Sequence, residues 1–179
     1  MTRYKLTIEY DGTGIAGWQR QDDRASIQSL LEAAAGKLTG VTCEVVGAGR
    51  TDAGVHATGQ VAHLDIPKEM SGYNVMHGMN FHLCTVTQQV VVLKAEAAAD
   101  DFHARFHATG RSYRYHIVNR QARAALDLHR AWHIPEKLDA KAMHSAAQLL
   151  LGHHDFTSFR SSICQSKSPM KTLERLDVT

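Results

Sequence analysis

The sequence lacks the features that would place it in several common classes. No run approaches the roughly 20 apolar residues of a membrane-spanning helix. The stretch MTRYKLTIEYDG alternates polar and apolar residues and carries no signal-peptide hydrophobic region. Cysteine is scarce: Cys43, Cys84 and Cys164 are odd in number and widely spaced. That argues against a disulfide framework and suits a reducing cytoplasm. No Cys-x-x-Cys occurs, no Gly-Lys-Ser/Thr ending of a P-loop, and no Gly-x-Ser-x-Gly. Net charge is only +2, so any nucleic-acid footprint has to be local.

What is present is an ordinary globular composition, 44% hydrophobic and 21% charged over 179 residues, enough for one large or two small domains. One segment is biased. FHARFHATGRSYRYHIVNRQAR, from Phe102 to Arg123, holds five arginines and neither acid nor lysine. Phe102, Phe106, Tyr113 and Tyr115 are interleaved with them. A second acid-free stretch, from Phe156 to Leu173, carries Arg160, Lys167 and Lys171. Arginine among aromatics suits phosphate contact with base stacking. A solvated strand and loop with core aromatics would have the same composition.

Periodicity gives the organisation. Tyr4, Leu6, Ile8 and Tyr10 alternate with polar residues and predict a first strand. Ile27, Leu30, Leu31, Ala34 and Leu38 fall at helical spacing, with Ser26 to cap the start and Gly40 the end. A short strand is expected over Cys43–Val46, another in GQVAHLDI, a weaker helix over about Lys68–Met79, and a fourth strand in QVVVLKAEA. This is the ferredoxin-like βαββαβ order, an α+β fold with an antiparallel sheet and helices on one face. The order then restarts. RSYRYHIV predicts a strand with Arg111, Tyr113, Tyr115 and Ile117 on one face. A helix capped by Asp139 follows, with a stripe of Met143, Ala146, Ala147 and Leu150, and Gly152 at its end. KTLERLDVT begins another strand. Residues 1–100 thus read as one complete half. Residues 101–179 read as an incomplete second half that carries the basic, aromatic segment. A full second unit would need roughly 60 more residues at the same spacing. The expectation is therefore a chain missing C-terminal sequence, with exposed edges and a tendency to aggregate.

The chemistry points to GAGRTDAGVHATG, from Gly47 to Gly59. Gly47 and Gly49 fit the start of a dinucleotide fingerprint, but Asp52 stands where its third glycine belongs. Twelve histidines raise the question of a metal. His103 and His107 lack the glutamate of a zincin helix, and His153 and His154 precede Asp155 in an expected loop. Most of these histidines read better as hydrogen-bonded or RNA-facing, and a metal-dependent hydrolase is the weaker alternative. Cys43 reads as a small buried apolar residue. Asp52 remains. An aspartate beside glycine is a common turn former. Yet Arg50 and Asp52 are bracketed by glycines that let the backbone approach a ligand, and carboxylates can act as nucleophiles at sugar carbons.

Four stretches, EYDGTGIAGWQRQ, GRTDAGVHATGQVAH, DFHARFHATGRSYRY and LLGHHDFTSFR with CQSKSP, together resemble the signature motifs of the tRNA pseudouridine synthase A family, in order along the chain. The resemblance implies two ferredoxin-like halves around a basic cleft, a homodimer, cytoplasmic location, and isomerisation of uridine to pseudouridine in the anticodon stem-loop of tRNA. It implies no cofactor and no metal. Asp52 resembles the family's catalytic aspartate. Tyr113 resembles the tyrosine that stacks on the target uracil and takes part in proton removal from C5. Arg50 resembles the arginine that displaces the base and holds the RNA, and Arg105 and Arg111 resemble basic residues of the cleft. Attack at ribose C1′ and at uracil C6 both stay open. The family continues past LERLDVT and supplies there a basic partner for the aspartate and an apolar residue against the base. The family's Leu-Pro after the second helix is Leu83-Cys84 here, expected as a loop-level change. GTGIAGWQ also lacks the aromatic often found before GWQ. A non-catalytic RNA-binding protein, or an inactive fragment, is the alternative reading.

Overall fold

Alternation in the first ten residues sets the fold. In β1 (Thr2–Tyr10), Tyr4, Leu6, Ile8 and Tyr10 are all buried, while Arg3, Lys5 and Thr7 take the other face. The computed structural model describes residues 1–160 and 168–179. Cys164 and Lys167, and with them most of the CQSKSP stretch, lie outside the described residues. The chain forms two compact units. One comprises Met1–Tyr115 with Asp127–Arg130, the other His116–Leu126 with Ala131–Thr179.

In the first unit β1 is central. It pairs antiparallel with β3 (Ala57–Ile66) on one side and with β4 (Val90–Ala97) on the other, and β2 (Val45–Gly47) completes the sheet beside β3. The sheet order is β2-β3-β1-β4. Tyr4 opposes Leu64 and Leu6 opposes Ala62 across one pairing, and Ile8 opposes Val92 across the other. These inward residues form one cluster with Ile27, Leu31, Ala34 and Ala35 of α1 (Ile27–Thr39) and Val75, Met79 and Leu83 of α2 (Gly72–Cys84). Both helices therefore cover the same face of the sheet.

α1 starts and stops where its sequence indicates. Ser26 and Ser29 form a reciprocal capping box, and Gly40 ends the helix at a φ of +77°. α2 lies further along the chain than periodicity suggests. Ser71 caps it, its side chain accepting from the Asn74 N–H. Two glycines that weaken the helix on propensity serve close packing. A β-carbon at Gly72 would lie 2.1 Å from the Ala95 carbonyl oxygen, and one at Gly78 would lie 2.5 Å from Leu38 Cδ1 of α1. Leu83 and Cys84 close the helix rather than opening a loop, and Thr85 caps it.

The opposite face of the sheet is covered by the segment after β4. His63 is 5% exposed, and its Nδ1 accepts from the Ala104 amide at 3.2 Å. Arg3 donates to the carbonyls of Asp100 and Phe102 and makes a bidentate pair with Asp65.

RSYRYHIV departs from expectation. Residues 111–116 join no ladder among the described residues, because Tyr113 and Tyr115 stay exposed and no buried face fixes a register. Within the second unit, β5 (Ile117–Asn119) pairs parallel with β6 (Trp132–Ile134). α3 (Ala140–Ala147) is capped by Asp139 as expected and runs into a short 3-10 turn at Gln148–Leu150. GHHD, expected as loop, forms β7 (Gly152–Asp155) antiparallel to β8 (Met170–Leu173). The expected strand in KTLERLDVT ends at Leu173.

Candidate active site

The loop between β2 and β3 is held from beneath on both limbs, and Asp52 stands exposed between them. Its first limb leaves β2 over the indole of Trp18. A β-carbon at Gly47 would come within 2.5 Å of that ring, so glycine is the residue that fits. The Ala48 amide donates to the Val61 carbonyl at 2.7 Å, and the Gln60 side-chain amide donates to the Gly49 carbonyl at 2.8 Å. Arg111 Nη2 donates to the Ala48 carbonyl at 2.6 Å, and a β-carbon at Gly49 would sit 3.3 Å from Arg111 Nε.

Thr51 is the central fixed point. Its carbonyl accepts from the Trp18 amide at 2.9 Å, and its hydroxyl shares a 2.9 Å hydrogen bond with the Tyr10 phenol. Tyr10 is 2% exposed, and burial pushes its phenol pKa up. Hydrogen bonds with Thr51 and Gln60 work against that rise, and the nearby Tyr113 phenol adds to it. Tyr113 is itself exposed, two residues beyond Arg111.

The second limb turns through Ala53 and Gly54. Gly54 has a φ of +80°, and the Val55 amide donates to the Asp52 carbonyl at 3.2 Å. The limb then rests on the loop after β1. The Gly54 amide donates to the Ile15 carbonyl at 3.4 Å, and the Gly12 amide donates to His56 Nδ1 at 3.1 Å. Asp11 Oδ1 lies 3.0 Å from the same nitrogen, and Asp11 Oδ2 accepts from Arg130 at 2.6 Å. The hydroxyl and amide of Thr13 hold the Asp11 carboxyl well below the usual carboxylate range, with Arg130 and then His56 reinforcing them.

The structure thus puts Asp52 and Arg50 on one loop and ties Arg111 to it, with Tyr113 two residues further along the chain. Arg50 and Asp52 are both exposed on the loop. Arg105 is exposed on the segment over the other face of the sheet, next to Ala104, which is anchored to His63. Sequence reasoning missed the support: Tyr10, Thr51, Gln60, Asp11, His56 and Arg130. Position offered one signal, since Asp11 directly follows β1 inside EYDGTG, but its partner Arg130 is 119 residues away.

Among the described residues, no group of three or more His, Cys, Asp or Glu side chains could hold a metal ion, and no helix is long and apolar enough to cross a membrane. His103 packs against His63 and Phe106, while His153 and His154 bond Thr172 and the Leu151 carbonyl.

A family model described as tRNA pseudouridine synthase matches residues 6–107 and 146–179. Three relatives, each called tRNA pseudouridine synthase A, align with all 179 residues. The protein from Paramagnetospirillum magneticum is 58% identical and is covered over 69% of its length. Those from Sinorhizobium medicae and Rhizobium meliloti are 54% and 52% identical, each covered over 72%.

Proposed function

The chain belongs to the tRNA pseudouridine synthase family, and from that premise we propose that Asp52 is the nucleophile that converts uridine to pseudouridine in the anticodon stem-loop of tRNA. The observation that carries this reading is the loop itself. Thr51 is tied by backbone and side chain to Trp18 and Tyr10, so the next residue, Asp52, presents its carboxylate to solvent from a rigid base.

The target uridine is flipped out of the RNA stack, at a cost of a few kcal/mol. Asp52 attacks the ribose C1′ or the uracil C6, carbons that carry no negative charge to repel it. The glycosidic N1–C1′ bond breaks and the uracil turns. C5 then bonds to C1′ as the carboxylate is released, the proton on C5 leaves to solvent, and N1, freed of the sugar, takes up one proton in exchange. Nothing is oxidised or hydrolysed, so the atoms balance without a cofactor or metal. Tyr113, exposed two residues beyond Arg111, stacks on the uracil and assists removal of the C5 proton. Arg50 enters the space the base vacates and Arg105 contacts RNA phosphate. Arg111 does so with the donors left after its bond to Ala48.

The strand order β2-β3-β1-β4, with both helices on one face, supports a ferredoxin-like architecture for residues 1–100. Residues 101–179, of which 101–115 pack within the first unit, carry part of a second, similar half. A homodimer acting on tRNA in the cytoplasm completes the reading.

Nucleoside analysis of treated tRNA tests it. Pseudouridine should form in unmodified tRNA and fail to form when the anticodon-arm uridines are replaced by cytidine. Conversion that persists in the replaced tRNA would overturn the stem-loop assignment. Binding without any conversion would make the protein an RNA-binding module.

A further inference from the structure

His56 lies four positions beyond Asp52, and the reaction as described gives it no task. Both ring nitrogens are engaged. Nδ1 accepts from the Gly12 amide, so in that bond it carries no proton. Nε2 then carries the proton and donates it to the His129 carbonyl at 2.9 Å. Asp11 Oδ1 also faces Nδ1, and Asp11 is fixed as a carboxylate by Thr13 and Arg130.

We propose that His56 is a positioning residue for Asp52, a role that rests on the reading of Asp52 as nucleophile. Between the two residues, the Val55 amide closes onto the Asp52 carbonyl, and Val55 itself is exposed. His56 is thus the first side chain after Asp52 that ties this limb to the body of the unit. The contact beneath is tight: a β-carbon at Gly12 would lie 2.2 Å from the Val55 carbonyl oxygen. Displacement of the His56 ring releases Gly12 and the turn together and moves the carboxylate away from the reacting carbon. An error of about an ångström in such a group costs up to roughly 100-fold in rate.

The test compares His56→Ala, His56→Gln and Asp52→Asn in the full-length protein by single-turnover conversion of tRNA, tRNA binding and thermal melting. His56→Ala should lower the rate constant roughly 10- to 100-fold with tRNA affinity within about two-fold of wild type. His56→Gln keeps an N–H that reaches toward the His129 carbonyl and should recover most of the loss. Wild-type rates in both variants would overturn the proposal. So would a loss of rate matched by an equal loss of affinity and of Tm. If His56→Ala does not fold, the Gln variant alone decides, by whether its rate exceeds that of His56→Asn, whose shorter side chain does not reach His129. Asp52→Asn separates the two claims: activity retained there removes the nucleophile assignment, whereas its loss with His56 variants unaffected removes only the positioning role.

Discussion

A methyl group at Gly17 would sit 2.6 Å from the Thr51 carbonyl oxygen, on a backbone with a φ of +89°. Both the close approach and the left-handed conformation require glycine there. Gly17→Ala is expected to cost about 1–3 kcal/mol and to lower turnover more than tRNA affinity, because the strain falls on the carbonyl next to Asp52. Thermal melts with steady-state kinetics check this, and an unchanged rate would show that the loop tolerates the shift. Two arginines should behave differently. Arg111 bonds the loop backbone, so Arg111→Ala should reduce the rate as well as binding. Arg105 is exposed on the segment anchored to His63, so Arg105→Ala should weaken binding and flatten its salt dependence by about one unit of slope, leaving the single-turnover rate unchanged. Equal effects of the two on rate would contradict this division. That Asp52 and Arg50 lie on an exposed, glycine-bracketed loop was legible from the sequence. The bond from Arg111 to Ala48 was not, since it spans 63 residues and depends on how the chain leaves the sheet.

Elements with strong local signals form where their sequence places them. α1 has an apolar stripe, a capping serine and a terminal glycine, and all three act as expected. Ser26 is fully buried and its hydroxyl accepts from the Ser29 amide at 3.2 Å, so Ser26→Ala should cost about 1 kcal/mol. Urea melts measure that cost, and no change in midpoint would mean that water or the neighbouring loop replaces the cap. Elements with weak local signals were not legible. GHHD of β7 is exposed along its whole length, so no alternation marks it as a strand. RSYRYHIV errs the other way: its alternation is clear, but a strand exists only where a partner satisfies its backbone groups. The boundaries of α2 moved because Ser71, not the run before it, supplies the cap.

At the scale of the molecule, the first unit closes the two faces of its sheet by different means. The helices bury one face against an apolar cluster. The segment after β4 covers the other through His63 and Arg3. Burial lowers the His63 pKa below 6.5, and Arg3 and His103 lower it further, against smaller opposing effects of Asp65 and Glu44. The unfolded chain therefore binds a proton at His63 more readily than the folded one. Stability from this residue is complete above about pH 6.5 and is lost as pH falls from there through the lower folded value. Asp65, held low chiefly by its hydrogen bond from Arg3, acts in the same sense at lower pH. His63→Asn keeps an acceptor for the Ala104 amide without the titration, so its Tm should fall less between pH 7.5 and pH 5.5 than that of wild type. Parallel curves would show that His63 does not set the acid limit. The central claim remains that Asp52, raised on its braced loop, is the group that reacts with uridine. The most direct measurement is tritium release from tRNA labelled at uridine C5, by wild type and by Asp52→Asn, with tRNA binding measured on both. The account predicts release by wild type and none by Asp52→Asn at undiminished affinity; release by the Asn variant would contradict it.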